Sequence, residues 1–192
     1  MKINYRFYLW YKFFNSLFLG LSVGSIFVVY SPLKPSIYSL GGIFLALGMM
    51  VVAKFYEDIM NIKAFFYITL FVELCVLGFI LAFLYLNYSY MSALIVYVGY
   101  QVTFLFGSYL VRMETVALKK TALLSFADIA KQKGYLFGLV ISYLFYKILD
   151  FFDITKKQIQ VYDLHFGLFL LELVIIYIVL RSFAHKRKPD GK

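Results

Sequence analysis

Cysteine, histidine, tryptophan, proline and acidic residues are all scarce in this chain of 192 residues. It has one Cys, two His, one Trp, three Pro and ten Asp plus Glu. The lone Cys75 excludes a disulfide framework and a thiolate metal site. His165, at the edge of an apolar run, and His185, in the basic tail, argue against a histidine metal site, so no cofactor is expected. Charged residues make up only 15% of the chain, against about 25% in ordinary soluble proteins. That scarcity excludes a disordered chain and a coiled coil. No Gly-rich phosphate loop with a lysine is present, and Ser108 lacks the glycine two residues on that a nucleophile elbow needs. Nothing in this inventory points to an enzyme.

Apolar residues, by contrast, make up 63% of the chain and aromatics 21%. A soluble globule of this size cannot hide so much apolar surface. A bilayer can, and at roughly 20 apolar residues per span there is room for about six helices and no separate soluble domain. The expected architecture is a single all-α transmembrane domain over residues 1–192. Its six spans are Phe13–Tyr30, Ile37–Ala53, Ala64–Leu86, Met91–Val111, Gly134–Leu149 and Leu164–Leu180. The first could be mistaken for a signal peptide, but no small-x-small cleavage site follows it, so an uncleaved helix is expected.

The net charge of +9 fits this plan without nucleic acid. Fifteen Lys and Arg fall on the side of both termini, the 2–3 loop and the 4–5 loop, and four on the other side. The positive-inside rule then places both termini in the cytoplasm, and a bacterial inner membrane is the expected site. Tyr5, Tyr8, Trp10 and Tyr11, with Tyr85, Tyr88 and Tyr90, read as interfacial anchors. The basic tail at Lys186, Arg187 and Lys188 could also serve as a lipid- or partner-facing patch.

Two spans carry small residues at four-residue spacing, namely Ser16, Gly20 and Gly24, and Gly134, Gly138 and Ser142. Such stripes allow close approach of helix backbones in lipid, and packing within the chain is the favoured reading over a dimer face. Gly41, Gly42 and Gly48 give the second span a looser surface of the same kind.

Ionisable residues inside spans are the sharper signal, because a charge near the bilayer centre is costly unless paired or hydrated. Glu73 and Glu172 both fall near mid-membrane, with no Lys or Arg at similar depth. They read either as proton-coupling carboxylates or as neutral groups bonded to a neighbouring helix. Gln101, Thr103 and Asn15 are weaker candidates for a polar lining. Asp58, Lys63, Arg112, Glu114 and Asp128 cluster at the cytoplasmic ends as solvated charges, structural ion pairs or a gating latch.

The run from Ser36 through Gly42 into the second span, followed by Lys54 to Lys63, resembles a six-helix half of a major facilitator superfamily transporter. In that family the 2–3 loop carries a glycine, an aspartate four residues later, then a second glycine and basic residues. Asp58 and Lys63 fit, Asn61 stands for the second glycine at a left-handed turn, and Lys54 stands where the first belongs. The 4–5 loop, with Ala127, Asp128, Lys131, Lys133, Gly134 and Gly138, is similar to the family's Ala-Asp…Arg-Gly-x-x-x-Gly run. Members of that family join two such halves around a central cavity. The resemblance therefore implies a half-size secondary transporter of a small solute that works as a homodimer or with a second membrane subunit. Two other readings stay open. One is the substrate-binding membrane subunit of a vitamin-type importer, docking through the first-span stripe. The other is a non-transporting scaffold or assembly factor.

Overall fold

The computed structural model describes residues 1–184. His185 and the basic patch at Lys186, Arg187 and Lys188 lie outside the described residues. The described chain is almost entirely helical. In order come strand β1 (Lys2–Ile3) and helices α1 (Tyr5–Val29), α2 (Pro35–Lys54), α3 (Tyr56–Ile59) and α4 (Ile62–Leu86). There follow α5 (Tyr90–Leu105), α6 (Gly107–Leu118), α7 (Thr121–Phe151), α8 (Lys157–Ser182) and strand β2 (Phe183–Ala184). Six stretches are long and apolar enough to cross a membrane: α1, α2, α4, α5 with α6, α7 and α8.

Local chemistry accounts for the boundaries. Pro35 opens α2, where its missing N–H costs nothing. Asn61 caps α4 by accepting from the Ala64 amide at 2.9 Å. Asn61 is therefore extended (φ −140°) and does not form the left-handed turn expected of it. Ser89 and Ser92 form a reciprocal capping box at the start of α5. Positive φ angles at Asn87, Lys119 and Asp153 turn the chain after α4, α6 and α7. The fourth span is interrupted at Phe106, whose amide bonds to the Thr103 carbonyl three residues back, just before Gly107.

The 4–5 connection differs most from the sequence reading. The fourth span runs on to Leu118 and α7 begins at Thr121, leaving Lys119 and Lys120 as the turn. Most of the expected polar loop from Arg112 to Lys133 is thus helix. The polar residues extend both helices beyond their apolar parts.

The helices pair in a pattern that maps onto itself. The first span packs on the fifth and sixth (α1 on α7 and α8), and the fourth on the second and third (α5 on α2 and α4). The third packs on the sixth (α4 on α8). Exchanging spans one and four, two and five, three and six reproduces these main pairings, while the smaller contacts of the fifth span with the fourth and sixth have no counterpart of similar extent. An odd number of spans per unit makes the two units run oppositely, the form of an inverted repeat. A clip closes the bundle at one end: β1 pairs antiparallel with β2, and the Asn4 amide bonds to the Ser182 carbonyl at 2.8 Å. Both ends of the described chain therefore lie at the same end of the bundle.

The tightest seam joins α1 to α7. A Cβ on Gly134 would run into the Phe13 carbonyl, on Gly138 into the Leu17 carbonyl, and on Gly20 into the Tyr135 carbonyl. Ser142 adds a hydrogen bond to the Leu21 carbonyl at 3.2 Å, and Gly24 meets the Tyr146 ring at ordinary contact distance. In lipid this close backbone approach supplies the dispersion and polar contact that hydrophobicity supplies in water. Both stripes are consumed within the chain. At the other extreme, α2 buries no residue.

Candidate polar site in the bundle

The site is organised by one face of α1. Tyr8, Tyr11, Lys12, Asn15, Ser22 and Ser25 recur at three- and four-residue spacing, which puts them on a single stripe. That stripe faces α4, α6 and α8, and it meets two acidic centres at different depths.

The deeper centre holds both mid-span glutamates. Glu73 on α4 and Glu172 on α8 are each 1% exposed, and their carboxyls are neighbours. Glu73 lies eleven residues from the start of α4 and Glu172 ten from the end of α8. At a rise of 1.5 Å per residue both lie about 15 Å from the clipped end, half the depth of a hydrocarbon core of about 30 Å. Tyr11 donates to Glu73 Oε1 at 2.7 Å, and the Asn15 amide donates to the same oxygen at 3.1 Å. Apart from the facing carboxyl, Glu73 Oε2 and both oxygens of Glu172 have no hydrogen-bond partner among the described residues, nor does the Thr69 hydroxyl, one turn from Glu73. No cation bonds to either carboxylate among the described residues. Two ionised carboxylates side by side at this depth would repel each other without solvent to relieve them. Tyr100 lies beside Glu172 and the Ser22 hydroxyl. Its ring packs on Phe79 and Phe104, with centroids 4.6 and 5.8 Å away.

The shallower centre is Glu114 on α6. Its Oε2 accepts from Lys12 Nζ of α1 at 3.1 Å and from Lys131 Nζ of α7 at 3.2 Å. Lys131 also reaches the exposed Asp128 at 3.3 Å. The Glu114 side chain is 5% exposed and Lys12 14%. Lys12 stands 5.7 and 5.6 Å over the Tyr8 and Tyr11 rings, and Tyr11 continues to Glu73. Ion pairs thus lead from Asp128 at the surface through Lys131 and Glu114 to Lys12, and the Lys12 ammonium over the Tyr11 ring brings them beside the tyrosine that bonds the carboxyl pair.

The expected gating residues separate into two groups. Glu114 and Asp128 join this network. Arg112 instead packs over the Tyr56 ring at 5.9 Å, and Asp58 and Lys63 have no ion pair among the described residues. Thr103 bonds to the Tyr100 carbonyl of its own helix. Asn15, expected to line a cavity, is a Glu73 ligand.

Sequence reasoning missed Tyr11, Lys12 and Lys131. Tyr8 and Tyr11 are buried and hold the interior, so they are not the interfacial anchors expected, whereas Tyr5 and Trp10 are exposed. The polar stripe on α1 was the available signal. His165 is also corrected: α8 starts at Lys157, which buries the imidazole two turns in, bonded to the Val161 carbonyl and stacked on Phe83. Among the described residues no group of His, Cys, Asp and Glu is arranged to hold a metal.

No protein-family model, curated protein or solved structure matches this chain.

Proposed function

We propose that this chain is a half-size secondary carrier for a small neutral or apolar solute, working as a dimer and driven by protonation of the Glu73–Glu172 pair. The observation that carries this reading is the carboxyl pair, buried side by side at mid-bundle with no cation bonded to it among the described residues. A pair that must gain and lose a proton cannot be locked by a permanent counter-charge.

The chemistry is a single proton transfer. A proton arriving through the Tyr11 side adds to a carboxylate oxygen, the negative charge disappears, and the α1, α4 and α8 contacts around it loosen or tighten. The pairing of the helices supports the reading, because exchange of the two three-span units brings Glu73 onto the span that carries Glu172. The sparse packing of α2 supports a second copy alongside. The major facilitator resemblance of the loops points the same way.

The scaffold reading has one observation in its favour: neither glutamate lines any of the described surface cavities. The importer-subunit reading loses its support, since α7 already covers the first-span stripe.

Liposomes holding purified protein and an internal pH dye test the proposal under a potassium-diffusion potential, with pools of small neutral solutes outside. The wild type should acidify the interior faster than empty liposomes, and Glu73→Gln and Glu172→Gln should each lose about nine-tenths of that flux. Flux unchanged in both variants removes the coupling. A strictly monomeric protein in lipid at all concentrations removes the dimer.

A further inference from the structure

The seam that brings α1 against α7 opens at the clipped end into a groove of about 340 Å³. Its walls are Trp10, Phe13, Phe126 and Ile129, and its charged residues are Arg6 and Lys133, with no acidic residue among the lining. Neither cation makes an ion pair among the described residues, and Asp128 on the adjoining face of α7 is held by Lys131. The level of the groove follows from the glycine contacts. Gly134 abuts the Phe13 carbonyl, so Lys133 stands level with Phe13, at the inner end of the groove. Arg6 lies seven residues nearer the clipped end along α1, about 10 Å at helical rise, at its outer end. The aromatic wall continues inward from Phe13 to Phe137, with ring centroids 6.1 Å apart.

We propose that this groove is a binding site for an anionic phospholipid, its phosphate held between Arg6 and Lys133 and an acyl chain lying along Trp10 and Phe13 toward Phe137. Basic pockets between spans select anionic headgroups because attraction is weakly screened there and the apolar wall fixes the chain. A zwitterionic lipid gains the wall but little from the charges. A free anion gains the charges but not the wall. The site stands apart from the carboxyl pair, and its occupancy does not depend on transport.

Trp10 is the only tryptophan of the chain, so it reports on this groove alone. Full-length protein is reconstituted in vesicles with increasing fractions of acyl-brominated phosphatidylglycerol or acyl-brominated phosphatidylcholine, and quenching of Trp10 is followed. Half-maximal quenching should need about tenfold less of the anionic lipid. The preference should vanish in the Arg6→Gln, Lys133→Gln double variant and persist in Lys34→Gln, Lys147→Gln. Both pairs lower the net charge equally, but the second lies at the other end of the bundle. Equal quenching by the two lipids overturns the site. So does a preference that survives the first double variant, or one lost equally in the second. Inorganic phosphate added in detergent should leave the emission unchanged, and a saturable response to it would overturn the assignment to lipid.

Discussion

Glu114 and Glu73 are both buried glutamates presented to the same stripe of α1, yet their surroundings are opposite. Glu114 sits near the end of the bundle and gathers two lysines from two helices. Glu73 sits at mid-bundle, receives two neutral donors on one oxygen, and faces a second carboxyl. The first arrangement compensates charge and ties α1, α6 and α7 together. The second leaves a charge state to be decided by protons. Burial alone therefore does not identify a functional carboxylate; what matters is whether the fold supplies it with a permanent partner.

The contrast can be broken at either member. The largest effect is expected for Glu114→Ala, which strands Lys12 and Lys131 without their acceptor. Loss of one partner from such a pair costs about 3–5 kcal/mol, readable as a large drop in melting temperature in detergent. Gly134→Val should follow at about 1–3 kcal/mol, the range for overpacking a tight interior, because it pushes α7 from α1 and separates the two lysines. Tyr11→Phe removes one donor from Glu73 and should cost about 1 kcal/mol by the same melt. Glu172→Gln should change stability by less than about 1 kcal/mol in either direction, since the new amide can still donate to the facing Glu73 carboxyl. A loss as large as that of Glu114→Ala would make the pair structural and end the contrast. Asp128→Asn, at the exposed end of the network, should move the melt by no more than about 0.5 kcal/mol.

Much of the fold was legible because bilayer thickness imposes a length on every span, and the six apolar runs of suitable length are the six long helices. The glycine stripes were legible for a related reason, since backbones in lipid meet where side chains are smallest. Two helix starts were read slightly late, at Ile37 and Met91, because hydropathy does not register the Pro35 opening or the Ser89 cap that begins α5 at Tyr90. The 4–5 connection was not, because polar residues that continue a helix into the headgroup layer look like a loop to a reading based on hydropathy. Asn61 was misread for a similar reason: its side chain suits both a left-handed turn and an N-cap, and the Ala64 amide decided between them.

Within the site, Glu73 and Glu172 stood out in the sequence because carboxylates are costly in an apolar span. Their being neighbours did not, since they lie 99 positions apart. Lys12 looked like an orientation charge and Tyr11 like an anchor, as each sits where such residues usually serve those ends. By itself, then, the sequence determined that there are six apolar helices, where their apolar cores lie, and which groups are too costly to be incidental. Those are properties of one helix in one solvent. Only the packing of α1 between α7 and α8 decided which of those groups meet, which charge is matched and which is left to a proton, because partnership depends on distance between helices and no single helix encodes it.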